Sequence, residues 1–205
     1  MKKLLMMAAM MAMTLSVNAQ HEEGDVTIQP RVGVTFSTIT DESDAKMKVN
    51  LTYGFEVERF FTDKFSLGVG VMFTNQGFKS NNYGDDKVKS KVVFDNYYAT
   101  IPITVNYFLV KGLAVKAGIQ PAFRVKTKVK IDDTKMDMDK ALDFLYSKDV
   151  KLNKFDLAIP VGLSYEINGI TLDARYHFGL IKLFKGLDDD SSRNRVISLT
   201  LGYKF

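Results

Sequence analysis

The chain has 205 residues, 46% apolar and 25% charged, with a formal net charge of +4, two histidines and neither cysteine nor tryptophan. That is material for one ordinary domain. It excludes a disordered tail, a disulfide scaffold, a thiolate or zinc-finger metal site and a cysteine nucleophile.

Met1-Lys2-Lys3 is a short cationic start, Leu4 to Leu15 is an apolar core, and Val17-Asn18-Ala19 ends on a small residue. This pattern predicts a secretory signal peptide over 1–19, cleaved between Ala19 and Gln20, with 20–205 as the mature domain. The apolar core is too short for the ~20 residues a membrane-spanning helix needs, and polar Gln20-His21-Glu22-Glu23 follows directly. Without Lys2 and Lys3, 26 basic side chains face 24 acidic ones. The mature chain is therefore near neutral, and its charge gives no argument for nucleic acid.

From residue 26 onward the chain alternates with period two, placing successive side chains on opposite faces of a strand. Runs of this kind are expected at 26–39, 47–61, 64–79, 91–108, 112–130, 153–167, 169–184 and 193–205. Between them, tight connections (Thr62-Asp63-Lys64, Val110-Lys111-Gly112 and the type I′ signal Asn168-Gly169) alternate with long polar ones. Several runs exceed ~12 residues where ordinary strands have ~5–6. The faces are unequal. On one side of the seventh run lie Ile170, Leu172, Ala174, Tyr176, Phe178 and Leu180; on the other lie Thr171, Asp173, Arg175, His177 and Gly179. A soluble sandwich would bury the apolar face as its core, whereas a membrane barrel would turn it to lipid. Strand length, the signal peptide and aromatic residues near the short-turn ends (Phe60, Phe61, Phe65, Tyr107, Tyr165, Tyr203 and Phe205) favour the barrel. The expected fold is all-β: an eight-stranded antiparallel up-and-down transmembrane β-barrel. All four prolines, Pro30, Pro102, Pro121 and Pro160, fall inside these runs, and each should mark a bulge or irregular pairing.

Eight strands leave an interior just wide enough for side chains. The inward face would carry Arg31, Glu56, Glu58, Lys116, Gln120, Arg124, Asp156, Glu166, Asp173, Arg175 and His177. This mixture of signs can neutralise itself by pairing, which predicts a plugged lumen. The longest connection reads as a short helix around 134–147, with Met138, Leu142 and Leu145 on one face. Lys126, Lys128 and Lys130 continue from Arg124 at alternate positions, and Lys87, Lys89 and Lys91 do the same on the other side of the barrel wall. Near the outer end these lysines are candidate contacts for lipopolysaccharide phosphates. Asp188-Asp189-Asp190 reads as a solvated run rather than a cation site. No cofactor or metal is implied. Of the two mature histidines, His21 stands at the frayed start and His177 faces inward, and no G-x-S-x-G or phosphate-cradling loop occurs, so a catalytic role is disfavoured.

Ile101-Pro-Ile-Thr-Val-Asn-Tyr107 and Ile159-Pro-Val-Gly-Leu-Ser-Tyr165 form a near-repeat, while Asn96-Tyr-Tyr-Ala-Thr-Ile-Pro-Ile103, the 117–123 run Ala-Gly-Ile-Gln-Pro-Ala-Phe, the terminal Leu201-Gly-Tyr-Lys-Phe205 and the Ala19-Gln20 junction carry a family likeness. Together they resemble the PorT-like outer-membrane β-barrel family of Gram-negative bacteria. The resemblance implies an outer-membrane location and an eight-stranded barrel. The C-terminal Phe205 resembles the signal by which the barrel-assembly machinery recognises its clients. The resulting expectation is a monomer in contact with outer-membrane lipid and lipopolysaccharide, in a structural or envelope-binding role. A narrow channel for small or hydrophobic solutes, a component of a protein-secretion apparatus and a lipid-A-modifying enzyme remain as alternatives.

Overall fold

The computed structural model describes residues 21–40, 47–83, 90–131, 134–136, 151–185 and 192–205. The expected signal peptide with its Ala19–Gln20 junction, Lys87, Lys89 and the Asp188–Asp190 run lie outside the described residues. Among the described residues twelve strands form in chain order: β1 (Val26–Ile39), β2 (Lys48–Thr62), β3 (Phe65–Tyr83), β4 (Ser90–Thr100), β5 (Ile103–Val110), β6 (Leu113–Ile131), β7 (Thr134–Met136), β8 (Lys151–Leu152), β9 (Phe155–Ile167), β10 (Ile170–Lys182), β11 (Phe184–Lys185) and β12 (Arg193–Tyr203).

Each stave pairs antiparallel with its neighbours in the order β1, β2, β3, β4 with β5, β6, β9, β10, β12, and β12 returns to β1 through pairs such as Val34↔Leu199. With β4 and β5 as one interrupted stave, this is a closed barrel of eight. Closure removes the sheet edges that lipid would not tolerate. The Asn168–Gly169 turn has positive φ at both residues, 51° and 77°, as a type I′ hairpin requires.

Alternation sorts the side chains inside out relative to a soluble protein. Leu172 and Leu201 are more than half exposed, whereas Glu56 and Asp173 are 1% exposed. A water-soluble sandwich would bury the leucines and wet the carboxylates, so this distribution decides for a membrane barrel. Phe60 departs from the expected aromatic belt: its even position on β2 turns it inward, and it is 1% exposed.

Proline effects fall mainly on one seam. Pro102 separates β4 from β5, Pro121 lies opposite, and the Ile101 N–H donates to the Pro121 carbonyl at 2.9 Å. Pro30 keeps register with Phe55, and Pro160 with His177. Pairing with β6 lapses beside Pro160, between Ala117↔Val161 and Gln120↔Ala158. The expected helix is not borne out over its first described residues: Thr134–Met136 is a strand, because its backbone pairs antiparallel with Val129–Ile131 of β6. The rest of that segment lies outside the described residues.

The lipid face gives a direct test. Leu199→Arg, near the middle of β12, should destabilise the barrel in lipid vesicles by ~2–4 kcal/mol, read as a shift in urea unfolding, while Leu199→Val should leave it nearly unchanged.

Candidate functional site

The lumen is organised around two carboxylates, Glu56 on β2 and Asp173 on β10. Arg31 from β1 reaches Glu56 at 2.9 Å and Asp173 at 2.8 Å. Arg175 from β10 also reaches both, at 2.9 and 2.8 Å. Lys116 from β6 bridges them at 3.3 and 3.2 Å. Thr200 on β12 accepts a further bond from Arg31 at 2.6 Å. Residues from five staves thus meet at the barrel axis, all 5% exposed or less. Gly162 makes room for this: a Cβ there would stand 2.9 Å from the Arg175 Cα and Cγ.

A second group closes the end with the short turns. Lys204, just past β12, bridges Glu58 at 2.8 Å and Glu166 at 2.7 Å, while Asn106 donates to Glu58 at 2.8 Å. Ser66 donates to the same Glu58 carboxylate. The Lys204 ammonium also lies 5.2 Å from the Phe60 ring and 5.6 Å from the Phe108 ring. Burial alone would lower the Lys204 pKa, but Glu58 and Glu166 outweigh it and raise the value above the ordinary 10.5. Its contribution to stability is therefore complete at neutral pH and is lost only as pH rises through that raised value. His21 is not frayed: it stacks on Phe60 at 4.2 Å and meets Glu166 at 3.0 Å, and the backbone of Gly24 and Asp25 pairs with that of Phe60. A recess of about 700 Å³ opens beneath this strap, lined in part by Phe60, Phe108 and Val110.

The remaining expected lumen residues sit apart from these groups. Asp156 accepts from Asn194 at 2.7 Å and from the Leu157 N–H at 2.8 Å. His177 Nε2 pairs with the Ser198 hydroxyl at 2.9 Å. Arg124, half-buried, donates to Thr127, which donates to Asn96. Spaces above the central group measure about 30 and 10 Å³, whereas one water needs ~10–15 Å³. Among the described residues no cluster of three or more His, Asp or Glu side chains is placed to hold a metal.

Toward the opposite end the wall splits. The β2–β3 ladder stops at Thr52↔Thr74, although both strands continue. Continued register would place Leu51 against Asn75 and Val49 against Gly77. Instead Thr35 donates to the Asn75 carbonyl at 3.1 Å, and Ser37 exchanges bonds of 2.8 and 2.9 Å with the backbone of Gly77. β3 is therefore tucked behind β2. The ion pair between Lys48 and Asp95 holds it there, with Asn75 donating to Asp95 at 3.0 Å.

The lysine ladder is altered by a bulge. Pairing shifts between Tyr97↔Lys126 and Tyr98↔Arg124, which turns Arg124 inward while Lys126 and Lys128 face out and are exposed. Lys128 stands 5.2 Å from the Tyr97 ring. Lys91 and Lys130 lie on β4 and β6, which are neighbouring staves rather than opposite walls.

Sequence reasoning missed Lys204 and the Lys48–Asp95 pair. Lys204 and Lys48 were legible by parity, since Lys204 alternates with Thr200 and Gly202, and Lys48 with Glu56 and Glu58. Asp95 was not, because its position depends on the tuck.

The outer membrane protein beta-barrel domain family matches residues 18–185. The chain belongs to this family. It is an integral outer-membrane protein of the kind found in Gram-negative bacteria. Similar solved structures include Ail, the attachment invasion locus protein of Yersinia pestis, with 16% identity over 89% of this chain and 99% of that chain at a TM-score of 0.47. OprG from Pseudomonas aeruginosa has 16% identity over 92% and 99%, TM-score 0.48. The Neisserial surface protein NspA has 13% over 88% and 97%, TM-score 0.47. No curated protein matches the sequence.

Two results are expected here. Glu56→Gln leaves Arg31, Lys116 and Arg175 around one carboxylate and should cost ~3–5 kcal/mol in urea unfolding; a change under ~1 kcal/mol would show that the group is not buried and paired. Because the chain lacks cysteine, disulfides introduced in pairs report the seam: Tyr53→Cys with Phe73→Cys, in register, should cross-link readily on mild oxidation, and Leu51→Cys with Asn75→Cys should not.

Proposed function

We propose that this family member has a plugged lumen and serves a non-catalytic structural or envelope-binding role, contacting lipopolysaccharide through its outer segments. One observation carries the reading: Glu56 and Asp173 each take Arg31, Lys116 and Arg175 at 2.8–3.3 Å, across the full width of the interior. A solute would have to break several of these buried pairs to pass. Lys126 and Lys128, exposed on the lipid-facing side of β6, are the proposed phosphate contacts on that stave, extended by Lys87, Lys89, Lys91 and Lys130. The residues quoted above for the PorT-like resemblance support a place in that branch of the family. Assembly as a monomer by the barrel-assembly machinery belongs to the same proposal, and a part in secretion is not assigned.

A gated narrow channel is the second reading, favoured by the split between β2 and β3. Planar-bilayer recording separates the two. The wild-type barrel should give no conductance steps, and so should the Lys48→Ala variant that loosens the tuck; steps in the variant alone would support the gate, and steps in both would overturn the plug.

A further inference from the structure

Along β10 and β12 the lipid-facing positions are apolar or aromatic until the end with the long connections, where they become cationic. On β10 the series Leu172, Ala174, Tyr176, Phe178, Leu180 ends in Lys182; on β12 the series Leu201, Leu199, Ile197 ends in Arg195 and Arg193. Lys182 and Arg193 are register partners, so two positive charges stand directly opposite one another, an arrangement that is destabilising on its own. Every charged group of the central lumen cluster meets an opposite charge, yet among the described residues none of these three forms an ion pair. Arg195 lies over the Phe178 ring at 5.6 Å, and that ring packs on Tyr176 at 4.4 Å. Arg193 is tied through its backbone, donating to the Thr40 hydroxyl at 3.0 Å and accepting from the Thr40 N–H at 3.0 Å, while its Nε is buried without a hydrogen-bond partner.

A lipid-facing cation is expensive at the bilayer midplane and tolerated only near the interface. Three together at one rim therefore mark the headgroup level, and among the described residues no carboxylate pairs with them. Long connections face the cell exterior in outer-membrane barrels, so the leaflet concerned is the outer one. We infer that Lys182, Arg193 and Arg195 form a binding site for the phosphate headgroup of an outer-leaflet glycolipid, with its acyl chains lying along Tyr176, Phe178, Ile197 and Leu199. Guanidinium groups suit phosphate because they present paired donors in a plane. The site lies on different staves from Lys126 and Lys128, and β9 separates it from β6. It therefore stands or falls independently of the ladder.

The test uses the full barrel in nanodiscs, with retained lipid measured by native mass spectrometry. The probes are bisphosphorylated lipid A, dephosphorylated lipid A and phosphatidylglycerol, with inorganic phosphate as competitor. Heat-modifiable gel mobility checks that each variant is folded. Wild type should retain bisphosphorylated lipid A in preference to the other two lipids, and Arg193→Gln with Arg195→Gln should weaken retention roughly thirtyfold. Lys126→Gln with Lys128→Gln should leave this preference in place, and Arg195→Lys should fall between wild type and the double variant. Equal retention by the arginine variants would overturn the site. So would equal binding of dephosphorylated lipid A, equal binding of phosphatidylglycerol, or displacement by millimolar inorganic phosphate.

Discussion

The structure depends on the narrowness of an eight-stave wall. Side chains from opposite staves touch across such an interior, so charges placed near its axis can pair with one another. Glu56 and Asp173 pair in this way with Arg31, Lys116 and Arg175, which arrive from β1, β6 and β10. Breaking one partner leaves a buried charge uncompensated, whereas the intact group is tolerated. The same pairs tie distant parts of the chain together, since 119 positions separate Arg175 from Glu56. The cluster thus acts as an internal cross-brace for a wall whose apolar side chains point outward.

Both ends of the barrel are finished with polar groups rather than with a core. At the short-turn end Lys204 sits between Glu58 and Glu166, capped by the Phe60 and Phe108 rings and by the strap that carries His21. At the other end the tucked β3 trades ladder bonds for hydroxyl bonds from Thr35 and Ser37. The Asn75 carbonyl and both backbone groups of Gly77 find partners in this exchange, as burial requires. The tuck is therefore a repartnering of the same hydrogen-bonding groups, and the Lys48–Asp95 pair biases it.

Much of this was legible in the residues. Period-two alternation placed Arg31, Glu56, Glu58, Lys116, Asp156, Glu166, Asp173, Arg175 and His177 on one face, and all of them are buried in the lumen. Turn chemistry at Asn168-Gly169 located a hairpin correctly. What parity could not supply were the places where parity breaks. The bulge beside Tyr98 separates Arg124 from Lys126 and Lys128, and only the pairing partner creates it. Alternation also says which face a residue takes but not its height along the barrel axis. Height decides that Glu58 and Glu166 join Lys204 rather than the central cluster, and that Asp156 stands with Asn194. The proline rule was too strict: Pro30 on the lipid face keeps its register with Phe55, and only Pro102 interrupts a stave.

The most direct test is to fold residues 20–205 into detergent and compare circular dichroism with gel mobility before and after boiling. A β spectrum with a faster-migrating unboiled band is the result expected of a closed barrel with an apolar exterior and a charge-braced interior. A chain that is soluble and folded without detergent, with a single mobility, would contradict it, because the exposed leucines and valines would then have to form a protein core.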